Sequence, residues 1–288
     1  MAKKSLIARI RGVLVKYVNN IQELLVYQRD LLVFLETESW RAAIQKPPYD
    51  DPRRLTRFGY KVFSQSDEDG IIAEIFRRIG IDNQVFFEFG VGDGVANNTL
   101  NLLLAGWSGY WIDGSAEYVA KIEHSFRDYI QRGQLKVANH LITKESINPQ
   151  IRQFGMPPAI DLMSIDIDGN DYWIWQAIEA VSARVVVIEY NATLRPPHSL
   201  AMQYKDDNEW NGTNYFGASL TALEKLAREK GYSLVACNYT GVNAFFVRND
   251  LLGDHFLAPF TAETHYEPPR RLKLGAGHPG GIGPYVEV

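Results

Sequence analysis

The 288 residues, 46% of them hydrophobic, are enough for one sizeable core with an appendage. Thirty basic and 34 acidic residues leave a formal charge of -4, which denies the chain the positive field that holds a nucleic-acid backbone. The single cysteine, Cys237, rules out an intrachain disulfide and a multi-cysteine metal cage, and points to a reducing, cytoplasmic setting.

The start, "MAKKSLIARIRGVLVKYVNN", has charges inside its apolar stretch and reads as neither signal peptide nor membrane span. Ile10, Leu14, Tyr17, Ile21, Leu24, Gln28, Leu31 and Leu35 follow the alternating three- and four-residue rhythm of a heptad seam. Val18, Leu25 and Leu32 widen the stripe. The spacing predicts a helix over about 5–38 that packs on another helix, of its own chain or of a second subunit. Homo-oligomerisation is the expected use, and the basic N-terminal end also allows a peripheral membrane contact. Residues 1–45 form this extension, and the proline-containing stretch 46–62 reads as a linker or arm.

Between 63 and 255 helical and apolar segments alternate, from "DEDGIIAEIFRRIG" and "QVFFEFG" to "YSLVACNYT" and "NAFFVRND". Strands separated by helix-length segments demand crossovers. The expected fold is therefore α/β: a Rossmann-like, doubly wound, mostly parallel seven-stranded sheet. Because only a short turn separates the last two strands, the sheet should end in an antiparallel hairpin. Residues 256–288 read as a loop-rich tail.

In such a sheet ligands sit beyond the C-terminal strand ends. The first strand runs into "FFEFGVGDG", where Gly90 and Gly92 permit close backbone approach. A dinucleotide fingerprint wants glycine at position 95, which is Val95. Glu88, read as pointing into the site, would repel a pyrophosphate and suit a ligand with an ammonium and a sulfonium, so S-adenosylmethionine is favoured over NAD. Asp113, at the end of "GYWIDGS", suits ribose hydroxyls or else caps the helix opening at Ser115. Ser115 itself, and Asn139 at the third strand end beside the adenine, complete the expected cofactor site with Asp166.

Asp166 and Asp168 in "SIDIDGNDYW" share a face if the fourth strand persists. Asp166, Glu189 and Asn191 would supply an all-oxygen set for Mg or Mn. Alternatively, Asp168-Gly169-Asn170-Asp171 is a turn capping the next helix. His198, in the long loop 192–219, is a second candidate base beside Asp168.

With these residues in place, the chain resembles class I S-adenosylmethionine-dependent methyltransferases, most nearly the FkbM-like group. The resemblance covers roughly residues 60–250 and rests on "SQSDEDGIIAEIF", "FFEFGVGDG", "GYWIDGS", "MSIDIDGNDYWIW", "VVVIEYN" and the segment closing in "NAFFVRNDL". It implies O-methylation of a sugar, glycan or small natural product. It further implies that Asp166 and Glu189 hold a cation while Asp168 takes the hydroxyl proton. Tyr190 and Asn191 depart from the acidic pair that related macrocin-type enzymes carry after the fifth strand. An NAD-dependent oxidoreductase or epimerase, and a non-catalytic scaffold assembled through the N-terminal helix, are the alternatives.

Overall fold

The computed structural model describes residues 2–208, 210–270 and 278–288, without the side chains of residues 2–15, 19, 29, 33 and 36. It divides into two compact units, Met1–Pro48 and Tyr49–Val288. The first is one helix, α1 (Ala2–Ala43), longer at both ends than its heptad pattern. Tyr17, Ile21, Leu24, Gln28, Leu31 and Leu35 of the seam are exposed, while the side chains of Ile10 and Leu14 lie outside the described residues.

The second unit runs α2 (Glu68–Ile79), β1 (Val85–Phe89), α3 (Leu100–Leu104), β2 (Ser108–Asp113), α4 (Ala116–Ser125), α5 (Arg127–Gln131) and β3 (Leu135–Asn139). It continues with α6 (Ile147–Gln153), β4 (Ala159–Ile165), α7 (Asp171–Ala177), β5 (Ser182–Glu189), β6 (Leu200–Met202) and α8 (Leu220–Glu229). Last come β7 (Tyr232–Cys237), β8 (Asn243–Arg248), α9 (Ala262–His265) and β9 (Tyr285–Glu287). Seven strands form one sheet in the order β3-β2-β1-β4-β5-β8-β7. The first five are parallel and β8 is antiparallel to both neighbours. This is the Rossmann-like, mostly parallel α/β sheet with its antiparallel hairpin.

Both faces are covered, so the strands read as apolar runs whose alternate residues enter two cores. Phe86, Trp111, Leu162, Val185 and Phe245 join Ile71, Ile75 and Leu103 on one face. Phe87, Phe89, Met163, Ile165, Val186 and Phe246 join Trp175 and Leu223 on the other. That alternation sends Glu88 to the same face as Phe86, under the 97–107 segment. In the parallel half, chain direction reverses its lateral order between β1 and β4, and the two glycine- and aspartate-bearing turns emerge there side by side.

Two stretches differ from their reading as linker and loose tail. Residues 49–62 pack on the second unit: Leu55 is fully buried and Thr56 Oγ1 donates to the Cys237 carbonyl at 3.1 Å. In the tail, β9 pairs antiparallel with β6, and the described residues also include α9.

At the end of the strands away from the turns, fully buried Asp161 accepts the N–H groups of Asp82, Asn83 and Gln84 and a 2.7 Å bond from Arg184. It thereby ties the entry to β1 to β4, the two strands that carry the site. Asp161→Asn should lower unfolding stability by about 3 kcal/mol, because Arg184 loses its buried partner and an amide N–H₂ cannot accept from three backbone donors. Urea unfolding followed by tryptophan fluorescence measures this; an unchanged midpoint contradicts it.

Candidate functional site

Gly90, Gly92 and Gly94 all have positive φ, so the turn after β1 folds in a conformation that side chains disfavour. At Gly90 there is also no room: a Cβ would lie 1.5 Å from the Asp166 carbonyl oxygen. At Gly92 a Cβ would meet nothing within 4 Å, so backbone there borders open space. The turn is therefore pressed against the start of the β4–α7 loop on one side and open on the other.

Glu88 shapes this turn from below. One carboxylate oxygen accepts from Asn98 N–H at 3.0 Å and Ser164 Oγ at 2.9 Å, the other from Thr99 N–H and Thr99 Oγ1. Trp111 Nε1 donates to Thr99 Oγ1 at 2.7 Å, extending the network. Glu88 is 2% exposed, and burial raises its pKa against the opposing pull of these donors. The expected direct contact with a cofactor cation is thus corrected: strand alternation points the side chain into the protein, and its oxygens are engaged by the 98–99 segment. Glu88 is a positioning residue for the glycine turn.

Asp113 ends β2 facing that turn. Its two oxygens accept from Gly92 N–H and Ser115 N–H, both at 2.8 Å, and burial raises its pKa. Each oxygen retains acceptor capacity. Asp113 thus holds the start of α4 through Ser115 N–H and also ties it to the glycine turn through Gly92 N–H. Ser115 is the N-cap of α4, with its Oγ accepting from Tyr118 N–H. Asn139 Nδ2 donates to the Asp113 carbonyl at 3.0 Å, locking the ends of β2 and β3 together.

The fourth strand stops at Ile165, so Asp166 and Asp168 belong to a loop rather than to one strand face. Asp168 adopts φ 56°, an uncommon conformation for a residue with a side chain. Asp171, fully buried at the start of α7, holds that shape by accepting from Ile167 N–H and Gly169 N–H, each at 2.8 Å. Burial lifts the Asp171 pKa to about 6 even against these bonds. Residues 168–171 do form a turn into α7, but Asp171 braces the turn itself and does not cap the helix; its bonds bracket Asp168 and leave that carboxylate outward.

Asp166, Asp168 and Glu189 come together, each offering an oxygen within 4.8 Å of the others'. Among the described residues no hydrogen-bond donor serves the side chains of Asp166 or Asp168. Burial raises the pKa of Asp166 well above its ordinary value, reinforced by the charges of Asp171, Asp168, Glu88 and Glu68. Asp168 is solvent-accessible, yet the protein packed around it still raises its pKa by desolvation. Three carboxylates this close require a proton or a cation to offset their repulsion.

Asn191 is corrected as a member of this set. It is fully buried, its Nδ2 donates to the Asn214 and Phe216 carbonyls at 2.9 Å, and its Oδ1 accepts from Thr193. It staples the long loop, and Asp168 takes the third place. His198 is exposed in a turn where its N–H donates to the Arg195 carbonyl, and it lies outside the acidic cluster.

The loop 192–219 is docked onto the aspartate turn. A Cβ on Gly169 would lie 2.2 Å from Asn208 Nδ2 and 2.9 Å from Met202 Sδ. Asn170 Nδ2 donates to the Lys205 carbonyl at 2.6 Å, and Trp173 Nε1 to the Met202 carbonyl at 2.8 Å. Gly169 and Asn170, read from the sequence as part of a turn with Asp171, also anchor this loop beside the acidic cluster. Their signal was the turn-forming composition itself, which does not say which acid faces in.

The "SQSDEDG" segment buttresses the same end of the sheet. Glu68, fully buried, accepts from Asn238 Nδ2 at 2.7 Å and Asn243 Nδ2 at 3.1 Å, and Asn243 pairs with Glu189 across β8 and β5. Beside it, Asp67 accepts from Tyr239 N–H through one oxygen, and its other oxygen is buried with no partner among the described residues. Burial, then the Glu68 charge, pushes the Asp67 pKa up to about 7.

No protein-family model matches the chain, and no curated protein matches it. Solved structures align with it, among them magnesium protoporphyrin IX methyltransferase from Synechocystis PCC 6803 with bound S-adenosylmethionine. That alignment has 15% identity and a TM-score of 0.41, covering 72% of this chain and 94% of that one. The N-terminal domain of EvdMO1 with S-adenosylhomocysteine bound aligns at 11% identity and a TM-score of 0.41, covering 74% and 94%. An S-adenosylmethionine-dependent methyltransferase from Clostridium acetobutylicum aligns at 13% and 0.38, covering 62% and 89%. At TM-scores below 0.5 these likenesses carry no argument about chemistry, which rests on the site itself.

The raised carboxyls set a pH dependence. Asp67 holds its proton in the folded chain up to about pH 7, whereas unfolded it loses it near its ordinary 3.8. Between those values the folded state binds more protons, so stability falls as pH rises, and Asp171 adds to the same slope up to about pH 6. Thermal unfolding should therefore occur at a lower temperature at pH 8 than at pH 5, and Asp67→Asn should reduce that difference. An equal difference in the variant contradicts the assignment.

Proposed function

We propose that this chain is an S-adenosylmethionine-dependent O-methyltransferase acting on a hydroxyl of a sugar, glycan or small natural product, with Mg or Mn at its acidic cluster. The observation that carries the reading is the trio Asp166, Asp168 and Glu189 beside the glycine turn, two of them without protein donors. A pyrophosphate beside that turn would sit in this negative field, whereas a cationic methyl donor is attracted by it. Val95 at the third fingerprint position argues the same way against NAD.

In this reading Asp113 accepts hydrogen bonds from ribose hydroxyls through the lone pairs that Gly92 and Ser115 leave free. Gly90 and Gly92 let the backbone approach the ligand, and Ser115 and Asn139 keep the ends of β2 and β3 in place around it. S-adenosylmethionine, when bound, supplies a methyl group on an already activated sulfonium. The residues of this chain supply alignment and a proton acceptor.

The donor set fits a divalent hard cation, because it is all carboxylate oxygen and its three groups lie within 4.8 Å of one another. Asp166 and Glu189 would hold the ion, which when bound would lower the acceptor hydroxyl's pKa. Asp168, the most exposed of the three, takes the hydroxyl proton as the oxygen gains the methyl group. Desolvation moves its pKa toward neutrality, the direction that improves a general base. Asp171 keeps it aimed outward. The scaffold alternative predicts no turnover, and the same experiment separates the two.

Calorimetry should detect S-adenosylhomocysteine binding, weakened at least tenfold by Asp113→Ala, a loss of about 1.4 kcal/mol. Asp168→Asn should bind it within about threefold of the parent while methyl transfer from labelled donor to a panel of glycans and natural-product hydroxyls falls about 100-fold or more. Absence of binding to both donor and product sinks the proposal, and full turnover by the Asp168 variant removes Asp168 as base.

A further inference from the structure

We propose that α1 is a self-pairing helix that docks antiparallel on α1 of a second copy of this chain. The inference stands independently of the methyl-transfer reading, since it draws only on α1. Among its described side chains, the 42-residue helix presents its heptad seam to solvent from Tyr17 on: Tyr17 is 68% and Leu24 60% exposed, and Ile21, Leu31 and Leu35 are exposed with them. Val18, Leu25 and Leu32 of the flanking row are exposed too. A stripe of this size on a helix calls for cover by protein or lipid.

Charge decides the occupant and its direction. Positions 2–22 carry five basic residues, Lys3, Lys4, Arg9, Arg11 and Lys16, and no acidic one. Positions 23–43 carry Glu23, Asp30, Glu36 and Glu38 against Arg29 and Arg41, so this half is net acidic. The basic residues of the first turn also oppose the positive end of the helix dipole, and no acidic residue there relieves them. Parallel pairing would bring two basic halves together. Antiparallel pairing lays each basic half along the acidic half and negative dipole end of the other copy. A single helix on an anionic bilayer would satisfy its N-terminal half only, with the acidic half repelled.

The seam fits this arrangement without overhang. With Ile21 opposite Leu24 of the partner subunit, Tyr17 faces Gln28 of the partner subunit. The symmetry axis then falls between residues 22 and 23, the midpoint of Ala2–Ala43. The one polar seam residue, Gln28, thus meets a phenol that can hydrogen-bond to it, and a slip of one heptad breaks both this match and the charge match.

Analytical ultracentrifugation of the full chain should give twice the 32.7 kDa chain mass. The exposed substitution Leu24→Glu should halve that mass while the thermal unfolding of the second unit stays in place. Under mild oxidation a mixture of Tyr17→Cys and Gln28→Cys chains should form a cross-linked pair that neither variant forms alone; Cys237 is fully buried and does not compete. A monomeric parent chain, a dimer that survives Leu24→Glu, or self-cross-linking of Tyr17→Cys alone overturns the proposal. So does a chain that is monomeric in buffer and floats with phosphatidylcholine–phosphatidylserine vesicles.

Discussion

The carbonyl oxygen of Asp166 fills the space that any side chain at position 90 would need. Because β1 and β4 are hydrogen-bonded neighbours, the turns that follow them leave the sheet side by side, and only a glycine lets them touch. Everything else at the site is arranged around that contact. Glu88 pulls the far side of the glycine turn down onto the sheet through Asn98 and Thr99, and Asp113 holds its middle through Gly92 N–H. Substituting glycine 90 would push the two turns apart and move Asp166 with them.

The second organising feature is the unequal treatment of carboxylates. Asp161, Glu88, Glu68 and Asp171 are buried and each accepts at least two hydrogen bonds, so their desolvation is offset locally. Asp166 and Asp168 receive none from the described residues. Half-buried Asp166 and exposed Asp168 thus stand apart from the four buried carboxylates, whose oxygens the chain itself satisfies. Asp168 makes the contrast sharpest, because its backbone is held in the left-handed region by hydrogen bonds to Asp171 on either side of it.

Much of the fold was legible because burial on both sheet faces leaves strands as apolar runs separated by amphipathic helices. The hairpin was legible because "CNYTGVN" is too short for a crossover. The direction of Glu88 was not, since a carboxylate at a strand end reads as ligand-facing unless the alternation with Phe87 and Phe89 is followed through. Asn191 failed for a related reason: spacing two residues from Glu189 suggests a shared face, but β5 ends at Glu189 and the period ends with it. The pairing of β6 with β9 joins segments some 80 residues apart through three-residue strands, too short for periodicity to register.

What periodicity cannot see is that the loop 192–219 and the acidic turn are packed together. Gly169 lies under Asn208 and Met202, and Asn170 and Trp173 bond to carbonyls of the same loop. The loop 192–219 therefore rests on the residue next to Asp168. Two backbone carbonyls, at Met202 and Lys205, supply part of the attachment, and Tyr204 between them is held as well, its hydroxyl accepting from Lys144 N–H at 3.0 Å while its ring packs edge-on to Trp173.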